Sequence, residues 1–166
     1  MIHSIEEFLT DWGHESNSTQ KILDAITEES LNLQINNDYR TLATLAGHIV
    51  TSLHEMLSRT GLDFVGADHE SQVPLTAKEI ADGYRTSSQN MIKAIQEQWT
   101  DESLKEIDDM YGEQWPKGLT LSVLSKHQIH HRGQLTVLMR LAGVRVPGVY
   151  GPSREEWAEI GMEAPR

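Results

Sequence analysis

The chain has 166 residues, a formal net charge of −11 and no cysteine. A field of that sign repels phosphate backbones and argues against nucleic-acid binding, and the absence of thiols rules out disulfides, thiolate metal sites and a cysteine nucleophile. The length suits one domain, residues 1–166, large enough to bury about two-thirds of the surface of its unfolded form, so a metal here is expected to be functional rather than a staple.

The opening stretch MIHSIEEFLTDW has acids where a secretory signal has lysine or arginine followed by an apolar run. No apolar run reaches the roughly 18 residues of a membrane span, and the richest stretch, LTVLMRLAGV, is broken by Arg140. The expectation is a soluble cytoplasmic protein without a membrane partner.

Helical periodicity dominates the chain. Ser4 followed by Glu7 predicts a capping box opening the first helix. Ile5, Phe8, Leu9 and Trp12, then Ile22, Leu23 and Ile26, keep one apolar face, with Gly13 and HESNSTQ as weak points between them. LNLQINNDYR reads as a link whose Asn36, Asn37 and Asp38 form turns. Thr41 opens a second helix running to about Arg59, with Leu42, Leu45, Ile49, Leu53 and Met56 as its stripe and Gly61 as its stop.

Residues 61–75 read as a loop with Gly66 and Pro74. Thr76 and Glu79 form another capping box, and the third helix reaches about Trp99 through Ile80, Tyr84, Met91, Ile92 and Ile95. YGEQWPKG, within residues 100–118, reads as an ordered loop or short strand. Thr120 opens a fourth helix ending at Gly143, and Ser153 with Glu156 caps a short last one. The pattern predicts an all-α fold: a four-helix bundle with a short C-terminal helix.

HQIHHRGQL, residues 127–135, is the stretch that carries chemistry. On a helical wheel with Leu121 at zero, Val123, Leu124, Leu135, Leu138, Leu141 and Ala142 centre near about 260°. His127 falls near about 240° and His131 near about 280°, in the middle of that stripe, while His130 lies at its edge near about 180°. The i, i+4 spacing stacks two imidazoles on one face, the geometry by which a helix offers two adjacent metal ligands. The same pair also fits a hydrogen-bonded core, and buried imidazoles need partners in either case.

Candidates for a third ligand are His3, His14, His48, His54 and His69. His54 falls opposite the apolar stripe of the second helix and reads as solvated; His69 falls in a loop. His48 lies on the flank of that stripe beside Ser52 and can point into the bundle. His48, His127 and His131 together make a three-nitrogen set with open positions, the pattern of a catalytic site.

Other features weigh less. Glu55 shares a side of its helix with His48 and is a weak candidate for a supporting role. Gln134 and Arg132 are candidates to orient a ligand, with Arg132 expected at the surface or a subunit contact. The four tryptophans are expected in the core or at its rim. No GxSxG, P-loop, GxGxxG or HExxH occurs, which argues against a serine-hydrolase elbow, an NTPase, a dinucleotide fold and a zincin.

LATLAGHIV and LSKHQIHHRGQLTVLMRLAG resemble the corresponding segments of the DinB/YfiT-like superfamily of metalloenzymes, the damage-inducible family rather than the polymerase of that name. The resemblance spans nearly the whole chain, and H-x3-H running into RGQL is its most specific element. It implies a four-helix bundle, often dimeric, holding a divalent metal, commonly nickel or zinc, on three histidines. Carried over residue by residue these are His48, His127 and His131, with His130 as the non-ligand member of the HH pair.

Relatives of this kind include transferases and isomerases that use bacillithiol, mycothiol or glutathione, and some hydrolases. The leading expectation is therefore a metal-dependent enzyme of the thiol S-transferase type, acting on a small molecule with an external thiol such as bacillithiol. The alternatives are a metal-dependent hydrolase and a non-catalytic metal- or ligand-binding stress protein. A homodimer is expected, with Ile129, Val137 and Met139 lying off the main stripe as its contact.

Overall fold

The computed structural model describes residues 1–67 and 76–165. Its four α-helices are α1 (Ile5–Asp24), α2 (Leu42–Ser58), α3 (Ala77–Gln98) and α4 (Lys117–Leu141). α1 packs against α3 and α4, and α2 packs against the same two. The pairs α1/α2 and α3/α4 therefore face each other across the bundle's diagonals, and the link between α1 and α2 crosses from one side to the other. His69 and Pro74, from the loop expected over residues 61–75, lie outside the described residues.

Capping explains where the helices begin. Thr76 and Glu79 form the reciprocal box that opens α3. Thr41 Oγ1 accepts the Thr44 N–H at 3.1 Å to open α2, which the chain leaves through Gly61 at φ 75°. Ser4 Oγ accepts the Glu7 N–H at 3.1 Å, but the Glu7 carboxylate takes the N–H of His3 at 3.0 Å instead of that of Ser4. The expected box at α1 is thus a one-way cap plus a contact one residue earlier. α1 runs unbroken through Gly13 and HESNSTQ, because Phe8, Trp12, Thr19, Ile22 and Leu23 are buried along one face. Burial outweighs weak local propensity there.

Between α3 and α4 the chain makes a turn of 3₁₀ helix (Ser103–Lys105) and then a hairpin. Strand β1 (Ile107–Met110) pairs antiparallel with β2 (Glu113–Pro116), from Ile107 opposite Pro116 to Met110 opposite Glu113. Tyr111 and Gly112 form the tip with φ 59° and 87°, the left-handed pair that a two-residue turn of the primed type requires. β2 runs straight into α4 with Pro116 as N-cap, so the helix starts at Lys117 and not at Thr120. At this junction Ile2 N–H donates to the Gly118 carbonyl at 3.0 Å, and a Cβ on Gly118 would stand 2.3 Å from the Ile2 carbonyl oxygen, so the close approach needs glycine.

α4 ends with Ala142 as C-cap and Gly143 at φ 73°, as expected. The short C-terminal helix is a single 3₁₀ turn, Trp157–Ile160. The Glu156 carboxylate accepts the Ser153 N–H at 2.9 Å, but the Ser153 hydroxyl is buried without a hydrogen bond, so it does not cap the turn as predicted. No helix among the described residues is long and apolar enough to cross a membrane.

Candidate metal centre

The site begins with how α4 is rolled. Its buried face carries Leu121, Leu124, Gln128, Arg132, Leu135, Leu138 and Met139, while Val123 is half-buried and Leu141 is exposed. The sequence places His127 and His131 mid-stripe. They lie instead on the flank, half-buried, because polar Gln128 and Arg132 take the centre. Both polar residues have partners on other elements.

Arg132, expected at the surface, is 2% exposed. Its guanidinium donates to the Glu15 carbonyl (2.9 Å) and carboxylate (2.7 Å), to Thr19 Oγ1 (3.1 Å) and to Tyr150 Oη (2.6 Å). Arg132 therefore neither orients a ligand nor forms a subunit contact; it joins α4 to α1 and to the C-terminal tail. Met139, expected at a subunit contact, is fully buried for the same rotational reason.

Gln128 sets the register between α2 and α4. Its side-chain amide donates to the Ile49 carbonyl at 2.9 Å and to Ser52 Oγ at 3.0 Å, in a fully buried position. Ile49 follows His48 and Gln128 follows His127, so this clamp brings the two histidines together. His127 Nε2 lies 3.1 Å from His48 Nε2 and 3.1 Å from His131 Nε2. The three rings meet edge-on, with centroids 4.4–4.9 Å apart and interplanar angles of 69–85°. Among the described residues His48, His127 and His131 form the one group whose ligand atoms converge, all within 4.8 Å of one another.

The donor set fits a cation. Gln134 Oε1 accepts from His131 Nδ1 at 2.7 Å, which leaves the His131 Nε2 lone pair facing its neighbours when the ring is neutral. His127 Nε2 then carries at most one hydrogen, enough for one of its two nitrogen contacts. A cation satisfies all three nitrogens together, and nitrogens about 2.0–2.1 Å from one ion stand about 3 Å apart.

Burial first, and then the neighbouring His131, His130 and Arg40, bring His127 down to about 4 against an upward pull from the Glu55 carboxylate. Burial also lowers His131, opposed by its bond to Gln134. Both rings are therefore neutral at pH 7, the form in which imidazole binds metal. His130 is exposed, as expected for a non-ligand, but its ring stands 4.9 Å edge-on to His131 and its proximity disfavours protonation of both neighbours.

The other described histidines, His3, His14 and His54, stay apart from the triad. His3 and His14 are exposed. His54 is not solvated as predicted: its ring packs edge-on against Phe64 at 5.2 Å, and Gly66 sits against its Cβ. Glu55 is held by two partners, since it accepts Arg59 Nε at 2.9 Å and Tyr111 Oη at 2.7 Å. The Arg59 guanidinium in turn lies 4.6 Å over the Tyr111 ring. These contacts seat the Tyr111 side chain against the C-terminal end of α2.

A cleft of about 460 Å³ opens beside His131 and Gln134. Leu45, Val137 and Leu138 make its helical wall, and the link before α2 supplies Ile35, Tyr39 and Arg40. Link residues are absent from the sequence-derived site. The only cue was an arginine next to an isolated isoleucine and tyrosine within a polar turn segment.

A model of the DinB family matches residues 1–164. The chain belongs to the DinB family. An uncharacterized protein from Bacillus subtilis (strain 168), YrdA, is 43% identical to this DinB-family chain over 166 residues, covering 100% of it and 99% of YrdA. A crystal structure of a DinB-like protein from Bacillus cereus is 49% identical with a TM-score of 0.87, covering 90% of this chain and 100% of that one. A DinB-like protein from Bacillus subtilis, YjoA, shares the fold at 18% identity and TM-score 0.68, covering 86% of this chain and 97% of that one.

Proposed function

We propose that this DinB-family protein is a divalent-metal enzyme, holding nickel or zinc on His48, His127 and His131, that joins an external low-molecular-weight thiol such as bacillithiol to a small electrophile. The observation that carries this reading is the convergence of three Nε2 atoms, at 3.1 Å from His127 to each of the other two, at the edge of an open cleft. A cation held there supplies the charge that lets a coordinated thiol lose its proton near neutral pH.

The chain's own residues do the rest. Gln134 orients the His131 ring, Gln128 holds the two ligand-bearing helices in register, and the cleft wall of Leu45, Val137 and Leu138 takes the apolar part of the electrophile. In the net reaction a sulfur–carbon bond forms, the leaving group departs with its electron pair, and the thiol proton passes to solvent. The cysteine-free chain offers no competing thiol.

Hydrolysis by an activated water requires a base, and Glu55, the carboxylate that shares a side of α2 with His48, is occupied by Arg59 and Tyr111. A purely storage or structural site is expected to close its coordination shell, whereas this triad borders a cleft.

The test is elemental analysis of tag-free protein alongside His131→Ala, followed by conjugation assays with bacillithiol and glutathione against a panel of alkylating electrophiles. Near-stoichiometric metal in wild type, its loss in the variant, and thiol-dependent turnover are expected. Stoichiometric metal in His131→Ala would sink the site; turnover without thiol would point to hydrolysis, and a metal-loaded but inert protein to binding alone.

A further inference from the structure

We propose that the cleft beside the triad is a subsite for an organic anion with an apolar body, and that Arg40 receives the anionic group. This rests on the reading of the cleft as the substrate site and names the class of molecule that enters it.

Charge is the first observation. The chain carries 25 acidic residues against 14 lysines and arginines. Arg59, Arg85, Arg132, Arg140 and Arg145 each pair with a carboxylate. Arg40 has no ion pair among the described residues, although it is exposed on this acidic surface, and it lines the cleft that also contains His131. A guanidinium is the side chain best shaped to take a carboxylate through two parallel hydrogen bonds.

Placement is the second. Arg40 directly precedes Thr41, the N-cap of α2, so its backbone is anchored to the helix that carries His48. The link is tied down from behind by Leu42 N–H to the Leu33 carbonyl (2.8 Å) and Ala43 N–H to the Leu31 carbonyl (2.9 Å). Asn36 turns it by accepting the Asp38 N–H at 2.9 Å. Arg40 therefore projects from a braced segment.

The third is the surface around it. Ile35, Tyr39 and Val137 are 57%, 60% and 54% exposed, and all three border this cleft, over a floor of buried Leu45 and Leu138. Apolar side chains gathered around one cavity on an otherwise polar surface mark a binding site. The volume of about 460 Å³ suits a small organic molecule. The acidic surface repels anions, so an anion gains entry only where a local cation offsets that field. The anionic group can belong to the thiol or to the electrophile; the recognising chemistry is the same.

The test compares 4-phenylbutyrate with its neutral amide, titrated into metal-loaded and chelator-treated full-length protein and followed by calorimetry and by NMR of the Val137 methyls and Gln134 amide. The acid is expected to bind about tenfold more tightly than the amide, a difference of about 1.4 kcal/mol, with or without metal. Arg40→Gln is expected to erase that preference and Arg40→Lys to keep part of it, both with wild-type metal content. Equal binding of the two probes, no saturable binding, or a preference that survives in Arg40→Gln overturns the proposal, and a preference present only with metal assigns the anion to the cation instead.

Kinetic arms then separate the sources: glutathione with a neutral electrophile, and 2-mercaptoethanol with a carboxylate-bearing one. A KM raised by Arg40→Gln for either anionic reactant supports the subsite, and a KM raised for neither overturns it. Because the probe titration also runs without metal, its failure is distinct from loss of the metal site, which is read by the metal content of His131→Ala.

Discussion

Gln128 donates to the Ile49 carbonyl across the α2–α4 interface at 2.9 Å, and each of these residues adjoins a histidine of the triad. One buried side-chain amide thereby converts helix packing into ligand geometry. Gln128→Leu removes the donor to Ile49 and Ser52 and leaves the Ser52 hydroxyl with less to bond in a dry place. A loss of about 1–3 kcal/mol of stability is expected, with weaker metal binding in the fraction that folds. Urea unfolding and metal titration check it; wild-type values for both would show that the clamp is idle.

Gln134 would act at one remove from a cation on the triad and is exposed, so its replacement separates metal affinity from folding. Gln134→Leu deletes the acceptor for His131 Nδ1–H, and with it the constraint on ring orientation and tautomer. Metal affinity is expected to fall about 10–100-fold with the melting temperature of the metal-free protein unchanged. Gln134→Glu keeps an acceptor and retains affinity. Competitive chelator titration distinguishes the two variants, and equal losses in both would argue against the orienting role.

These two residues also mark the limit of what sequence reading recovers. The α2 stripe of Leu42, Leu45, Ile49, Leu53 and Met56 is buried as its spacing predicts, and His48, His127 and His131 do come together. Period-3.6 logic works where the buried face is apolar. It misassigns the roll of α4 because Gln128 and Arg132 are polar by type yet buried through partners far away in sequence: Ile49 and Ser52, and Glu15, Thr19 and Tyr150. The hairpin is legible only in part: β2 falls within YGEQWPKG, which reads as a loop or short strand, while the turn escapes because Tyr111 stands where asparagine would signal it. The cleft wall formed by Ile35, Tyr39 and Arg40 exists only once the link folds back onto α4.

Arg132 gives a stability prediction independent of metal. Its side chain is 3% exposed and its guanidinium is paired with Glu15, whose side chain is 17% exposed. Tyr150 Oη also donates to Glu15, at 2.8–2.9 Å, so the tail is tied to the same carboxylate. Arg132→Ala leaves that partly buried charge without its cation, and a cost of about 3–5 kcal/mol is expected. Arg132→Lys is expected to recover little, because one ammonium cannot reach Glu15, Thr19 and Tyr150 with the fork geometry of arginine. Thermal denaturation of both variants, with proteolysis after Tyr150 as a readout of tail release, checks this; full rescue by lysine would contradict it.

Acid should weaken the metal-free protein through His127. Burial and two neighbouring histidines lower its folded pKa from 6.5 to about 4. A folded pKa below the unfolded value means that the unfolded chain binds the proton first as pH falls. The contribution of His127 to stability is therefore complete above pH 6.5, declines as pH falls toward about 4, and stays flat below it. Carboxylates titrate in the lower part of this window too, so the informative quantity is the difference between wild type and His127→Asn. In urea unfolding of chelator-treated protein that difference should shift steadily in favour of the variant between pH 6.5 and pH 4. Parallel pH profiles would mean that the burial around His127 does not hold its ring neutral. With metal bound the acid loss should be steeper in wild type, because protons then compete with the cation for the same nitrogens.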